Sequence, residues 1–522
     1  MKNPRNILFI MADQLRWDYL AGTGHPSIKT PNIDALAARG IRFTNAYAQS
    51  GICGPSRMSF YTGRYVTSHG SNWNQVPLNI GTWTLGDYLR PLGLNVALTG
   101  KTHMAADVAG IERLGIDGTS PDGILASQCG FEPTLRDDGL HPSQSINPDL
   151  DYNKYLSDLG YSGNNPWHDW ANSAEGPDGE ILSGWLWRNS NKAARIKAEH
   201  SETPWMTTQA INYIKSQAND PWCLHLSYIK PHWPYMVPEP YFSMYREAYI
   251  KPVNRSAQER ATAHPVMKAF MQHEEGQTFS KDGAREAIIP SYMALITQLD
   301  DEIGRLMGEL KTMGRLDDTL IIFTSDHGDY LGDHWLGEKE LFHDESIKLP
   351  LIMVHPDANA TGDVDALVEA IDLIPTFIDA LGGEIPTHML EGRSLMPFTK
   401  SLNTPPDWRD IAIAELDYNH RKARLILGRD VNSCKAWMLR GARYKYIYYQ
   451  GFPAQLFDLK EDPQELHDLG NEPTYGEICA QMKERLFHWL SSERKVRTTL
   501  SDKDVLARTD SWKEKGVVFG EW

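Results

Sequence analysis

Residues 6–14 read NILFIMADQ. An unbroken apolar run from Ile7 to Ala12 stops abruptly at Asp13 and Gln14. The run is too short to cross a membrane and has no polar face. It reads as a strand buried on both faces, with its polar pair at the carboxyl end. KTPNIDALAARGIRF follows at 29–43. Thr30 can cap a helix, Pro31 suits its first turn, Ala-Leu-Ala fills it and Gly40 ends it. IRFTNAYA then reads as a second strand, and strand–helix–strand opens an α/β sheet.

The same alternation continues. Helices are expected at TWTLGDYLRPLG, TPWMTTQAINYIKSQ, YMALITQLDDEIGRLMGELKTMG and VDALVEAIDLIPTFIDALGG, and strands at NVALTG, PWCLHLSYI, TLIIFTS and LPLIMVHP. Three of these strands run straight into polar residues: Lys101-Thr102-His103, Lys230-Pro231-His232 and Asp326-His327. Sites of open parallel sheets lie beyond the carboxyl ends of the strands, so topology alone gathers these groups. The expected fold is a large, mostly parallel mixed sheet with helices on both faces, followed by a smaller C-terminal α+β domain of antiparallel sheet plus helix. The catalytic domain is expected over 1–400. Within it, 105–204 is an irregular insertion rich in Gly, Asp, Asn and Trp, a possible lid. Its Trp167, Trp170, Trp185 and Trp187 either line a substrate entrance or pin the insertion by burial. The second domain is expected over 401–522, with a polar tail from about 495.

Composition narrows the function. The 522 residues carry a formal charge of −16, which argues against a nucleic-acid or anionic-membrane binder, though not against a basic pocket for a small anion. The five cysteines are Cys53, Cys129, Cys223, Cys434 and Cys479, widely spaced and without a C-x-x-C pair. That suits a reducing compartment, so a soluble cytoplasmic protein is expected.

Cys53 stands apart. In GICGPSRMSFYTGR at 51–64, Pro55 fits a first helical turn, which puts Cys53 at a helix N-terminus, where free N–H groups and the dipole favour negative charge. A thiol there is reactive. Arg57, four residues on, offers a fork for an oxyanion.

CGPSR followed by TGR, with TGKTH and SDHGDYLGDH later in the chain, resembles the type I sulfatases of the alkaline phosphatase superfamily. The resemblance extends from ILFIMADQ to YKYIYY and LFDLKEDPQELHDL. It implies that Cys53 is converted to formylglycine by a formylglycine-generating enzyme. One hydroxyl of the hydrated aldehyde attacks sulfur or phosphorus, and the second then expels the product as the carbonyl re-forms. The pair before Thr62-Gly63 reads Phe60-Tyr61, where the family signature prefers an aliphatic or Phe/Trp pair. By the same resemblance Asp13, Gln14, Asp326 and His327 join residue 53 as ligands of one divalent cation, Ca²⁺ or Mn²⁺. His327 stands where most sulfatases carry asparagine, and its nitrogen tilts the choice toward Mn²⁺. Lys101 and His103, two apart and so facing one way on an extended segment, flank the nucleophile. His232 and Lys339 bind the substrate's oxygens, and one histidine or Lys339 protonates the leaving alcohol. Asn74 matches a substrate-contacting position of the phosphonate monoester hydrolase branch. His69, His334 and His343 are given turn or structural roles. Gly-Lys-x-His is a sulfatase feature, whereas the Asp-Gln and Asp-His pairs resemble the phosphonate hydrolases. Hydrolysis of sulfate monoesters is therefore the expected activity, with phosphonate monoesters and phosphate diesters as the alternative. The expected substrate is a small anionic ester and the expected assembly a homodimer or homotetramer.

Overall fold

The computed structural model describes residues 3–139, 150–493, 500–508, 511 and 514–518. The strands in chain order are β1 Asn6–Ala12, β2 Ile41–Tyr47, β3 Asn95–Gly100, β4 Glu132–Arg136, β5 Ser173–Glu175, β6 Ile181–Ser183, β7 Trp222–Tyr228, β8 Thr319–Ser325, β9 Lys348–Val354, β10 Gly362–Glu369, β11 Ala412–Asp417, β12 Lys435–Arg440, β13 Tyr444–Tyr449 and β14 Gln455–Asp458. Eight form one sheet in the order β10-β2-β9-β8-β1-β7-β3-β4. β9 alone runs against the rest.

Alternation along β1 explains the layers. Leu8, Ile10 and Ala12 face one way, into a core shared with the helices Pro31–Arg39, Glu202–Ser216 and Ala284–Thr312. Ile7, Phe9 and Met11 face the other, against the helices Cys53–Thr62 and Leu373–Ala380. A strand covered on both faces must be apolar throughout, as its sequence is. The C-terminal sheet, β11-β12-β13-β14, is antiparallel, and the helix Gly476–His488 follows it. Ala412, Met438 and Ile447 of that sheet pack with Tyr47, Ile52 and Phe342 of the main body.

Two expectations fail locally. Residues 364–383 do not form one helix. Gly362–Glu369 is the edge strand β10, paired in parallel with β2, and the helix begins only at Leu373. The apolar residues of 364–369 satisfy either period, and pairing with β2 decides between them. The insertion also holds more regular structure than its composition suggests. β4 completes the main sheet beside β3, and its Pro133 is tolerated because the strand lies at an edge. The tail from about 495 lies partly outside the described residues; within them Asp502–Arg508 is helical.

The loop after β8 is locked by charge. His334 has a left-handed backbone (φ 54°), its Nδ1 is 2.5 Å from Glu259 Oε1 and its Nε2 is 3.3 Å from Glu345 Oε2. Burial alone would lower its pKa, but Glu345 and Glu259 push it up to about 10. A folded pKa above the unfolded value stabilises the fold fully below about pH 6.5, and that stabilisation is lost as pH rises through 10. Denaturant unfolding should show wild-type stability falling by a few kcal/mol, in order of magnitude, between those limits. His334→Gln should be less stable at pH 6.5 and lack that slope.

Candidate active site

Register builds the site. Ala12 pairs with Ser325 of β8 and with Tyr228 of β7, so the next residues, Asp13 and Asp326, leave the sheet side by side. Gly100 pairs with Ser227, which brings Lys101 to the same edge. Gly100 has φ +108°, and a Cβ there would collide with the carbonyl of Ser227, so only glycine permits this turn.

Cys53 is the first residue of its helix, as its sequence context predicts. Its Sγ lies 3.1 Å from His327 Nε2, 3.2 Å from Lys339 Nζ and 3.9 Å from Asp13 Oδ1. Donor atoms of Asp13, Cys53, Asp326 and His327 all lie within 4.8 Å of one another, and all four residues are 0% exposed. His327 Nε2 is 3.7 Å from an oxygen of each carboxylate. Its Nδ1 faces the Gly328 carbonyl at 2.9 Å. A carbonyl can only accept, so Nδ1 carries the proton and Nε2 presents its lone pair to the cluster. Two carboxylates, a fixed imidazole lone pair and the residue-53 side chain are a donor set that fits a divalent cation. The amide oxygen of Gln14, the fifth expected ligand, accepts from Lys339 Nζ at 3.1 Å, and its Nε2 donates to Asp329 at 2.5 Å. Gln14 therefore sits beside the four through Lys339.

The buried charges are matched. Arg57 Nε donates to Asp326 Oδ2 (2.8 Å), and Nη1 donates to the Lys101 carbonyl (2.8 Å) and to Ser227 Oγ (2.7 Å). Nη2 lies 3.4 Å from Asp13. The fork expected for a substrate oxyanion thus holds the two acidic residues instead, and its 0% exposure keeps it from the cavity. Lys101 ion-pairs with Asp13. Burial opposes ionisation of Asp13, yet Lys101, His232 and Arg57 bring its pKa below the usual carboxylate range. Burial likewise opposes a Cys53 anion, but Lys339, Lys101 and His327 hold its pKa well below that of a free thiol. Any anion placed here is stabilised by the same two lysines.

Lys339 Nζ is also 3.2 Å from His232 Nε2. His232 Nδ1 donates to the Trp233 carbonyl at 2.7 Å, which leaves Nε2 to accept from Lys339. Burial and then Lys339 lower the His232 pKa to about 4. Lys101, His103, His232, Lys339 and Asn74 all line one cavity of about 450 Å³. The strand-alternation reason for Lys101 and His103 does not hold, because β3 ends at Gly100 and His103 has φ 52°. Asp138, at the end of β4, accepts from the backbone N–H groups of Thr102 and His103 and sets that turn.

Asn74 has a supporting contact as well: its Oδ1 accepts from the Gly54 N–H at 2.8 Å. Asn74→Ala strands that N–H beside residue 53, so kcat should fall about tenfold with KM little changed, as steady-state kinetics would show. The sequence reading missed Asp138, Asp329, Ser227 and Trp233. Asp138 follows a strand, as Asp13 and Asp326 do, and Asp329 lies inside the quoted SDHGDYLGDH motif; those were the available signals. His69 is structural, linking Ser59 Oγ at 3.1 Å and the Ser71 N–H at 3.2 Å, and His343 pairs with the Tyr330 hydroxyl at 2.8 Å. The four insertion tryptophans divide. Trp167 and Trp185 line the site cavity, Trp187 lines its neighbour, and Trp170 lies under the Arg195 guanidinium. Among the described residues no helix is long and apolar enough to cross a membrane.

Comparison with known proteins gives the family. Residues 5–383 match the family model described as Sulfatase, and residues 332–492 match the C-terminal region of N-sulphoglucosamine sulphohydrolase. The chain is 32% identical over 517 residues to the multifunctional alkaline phosphatase superfamily protein PehA of Trinickia caryophylli, spanning 93% of this chain and 95% of that one. It is 26% identical over 527 residues to an arylsulfatase of Clostridium perfringens, spanning 94% and 96%. The crystal structure of a phosphonate monoester hydrolase of Agrobacterium radiobacter superposes with a TM-score of 0.80 at 29% identity, covering 94% of this chain and 96% of that one.

Proposed function

The chain belongs to the sulfatase family of the alkaline phosphatase superfamily, and on that premise we propose that it hydrolyses sulfate monoesters to an alcohol and inorganic sulfate. The observation that carries the reading is the meeting of Lys101, His103, His232 and Lys339 in one cavity at Cys53. Residue 53 acts after conversion to formylglycine, whose hydrated aldehyde supplies the attacking oxygen; Sγ stands where that oxygen would be. Asp13, Asp326 and His327, with residue 53, would hold a divalent ion that would supply further positive charge, and the imidazole ligand favours Mn²⁺ over Ca²⁺.

The chain's own residues do the rest. Arg57 and Lys101 hold the two acidic residues in place by ion pairs. Lys339 donates to the oxygens of the sulfuryl group, where negative charge spreads in the transition state. Lys339, hydrogen-bonded through Nζ to His232 Nε2 at the cavity wall, is the source of the proton for the leaving alcohol. His103 also lines the cavity.

A second reading, hydrolysis of phosphonate monoesters and phosphate diesters, is favoured by the Asp13-Gln14 and Asp326-His327 pairs and by the likeness to PehA and to the phosphonate hydrolase. These substrates are also monoanions, so the charge of the site accepts both classes. The test is kcat/KM for an aryl sulfate against a matched phenylphosphonate ester, measured on protein matured beside a formylglycine-generating enzyme. A higher value for the sulfate is expected; a higher value for the phosphonate reverses the ranking.

A further inference from the structure

A second cavity, of about 720 Å³, adjoins the site cavity and shares Trp185, Trp233 and Glu338 with it. Trp185 and Trp233 meet edge to face, with ring centroids 5.1 Å apart, and form the partition. Trp233 Nε1 donates to Glu338 Oε1 at 2.6 Å, which fixes the indole. Trp187 adds a third indole, held against Tyr235 and Phe279. The two chambers differ in charge. The first holds Lys101, Lys339 and the histidines. Among the described residues the second is lined by four carboxylates, Glu274, Glu275, Asp282 and Glu338, against two cations, Arg188 and Lys281; Glu274, Asp282 and both cations are exposed. Glu274 is ion-paired outward with Lys422 and Glu275 with Arg421.

Direction connects the chambers. In an in-line displacement the leaving oxygen points away from the attacking one. The attacking side is Cys53, so the alcohol points outward past His232. The next residue, Trp233, is the wall of the second chamber. We infer that this chamber binds the alcohol portion of the ester, and that its indoles with their acidic surround select aromatic and cation-bearing alcohols against anionic ones. The inference rests on the ester-hydrolase reading, though not on sulfate over phosphonate. Indole faces attract organic cations, and four lining carboxylates against two lining cations disfavour an anionic alcohol. The pairing also keeps the two ends of the substrate in register: the anionic end meets the basic chamber and the other end meets the acidic one.

The test uses 4-(trimethylammoniomethyl)phenyl, phenyl and 4-(carboxymethyl)phenyl sulfates, each kcat/KM being divided by the ester's uncatalysed hydrolysis rate to remove the difference in leaving-group strength. The cationic ester should exceed the anionic one in kcat/KM by about tenfold. That ratio should shrink at least threefold in Trp185→Leu and in Asp282→Asn. A ratio cancels any loss of folded enzyme. A wild-type ratio at or below one overturns the inference, and a ratio unchanged in both variants overturns its assignment to this chamber. If only the matching phenylphosphonate esters turn over, the sulfate reading fails while the same ratio in that series still judges the chamber. If neither series turns over, calorimetric titration with the free phenols decides: tighter binding of the cationic phenol supports the inference, and equal binding overturns it.

Discussion

Cys53→Ala should lower kcat/KM by about four orders of magnitude or more, the scale seen when a covalent nucleophile is removed. The fold should survive, because the helix loses only one small side chain. Cys53→Ser should be nearly as inactive in a host whose maturation acts on cysteine alone, since a plain hydroxyl offers no route for expelling the bound product. The check is paired: kinetics on the three proteins, and intact-mass analysis of the tryptic peptide holding residue 53, which should show that sulfur has been replaced by an aldehyde. Full activity in Cys53→Ser would point instead to a metallohydrolase with an unmodified nucleophile. An intact thiol in fully active wild-type protein would do the same.

Removing Asp326 should be almost as costly, for two separable reasons. Asp326→Ala deletes one of the two carboxylates of the proposed metal centre and should reduce activity by about three orders of magnitude. It also leaves the Arg57 guanidinium, fully buried, without its 2.8 Å partner. Losing that partner leaves the buried guanidinium only the Asp13 carboxylate, at 3.4 Å, to balance its charge, so the unfolding midpoint in denaturant should drop as well. Wild-type protein dialysed against a chelator separates the two effects. It should lose activity and regain it with Mn²⁺, while keeping the Arg57–Asp326 pair. Metal content by atomic emission should be near stoichiometric in the wild type and low in Asp326→Ala. Equal activity before and after chelation would remove the metal from the account.

These predictions draw on residues that differ in how far the sequence disclosed them. Asp13 and Asp326 were legible because each stands where a buried apolar run gives way to polar residues. Cys53 was legible because proline in a first turn marks where a helix starts. Arg57 was legible as a residue but not in its role. Four residues along a helix say which side a guanidinium lies on, not that two carboxylates already occupy its fork. Asn74 is similar: its amide meets the Gly54 N–H across twenty residues, a contact that no local rule predicts.

The apolar run at 364–369 marks the limit for the fold. Its spacing is compatible with helix and strand alike, and only the open edge of β2 made it a strand. The partition of the insertion's tryptophans could not be read either, because neither HDWAN around Trp170 nor SGWLW around Trp185 says which distant elements each ring will meet. Local chemistry alone determined the α/β class, the strand ends that carry the reacting groups and the helix start at residue 53, since strand burial, turn residues and capping act over a few residues. The tertiary structure alone decided which cations neutralise which carboxylates, and that a basic chamber opens past Trp233 into an aromatic and acidic one. Electrostatic pairing and cavity shape depend on distances between chain-distant groups, and strand register, rather than local preference, sets those distances.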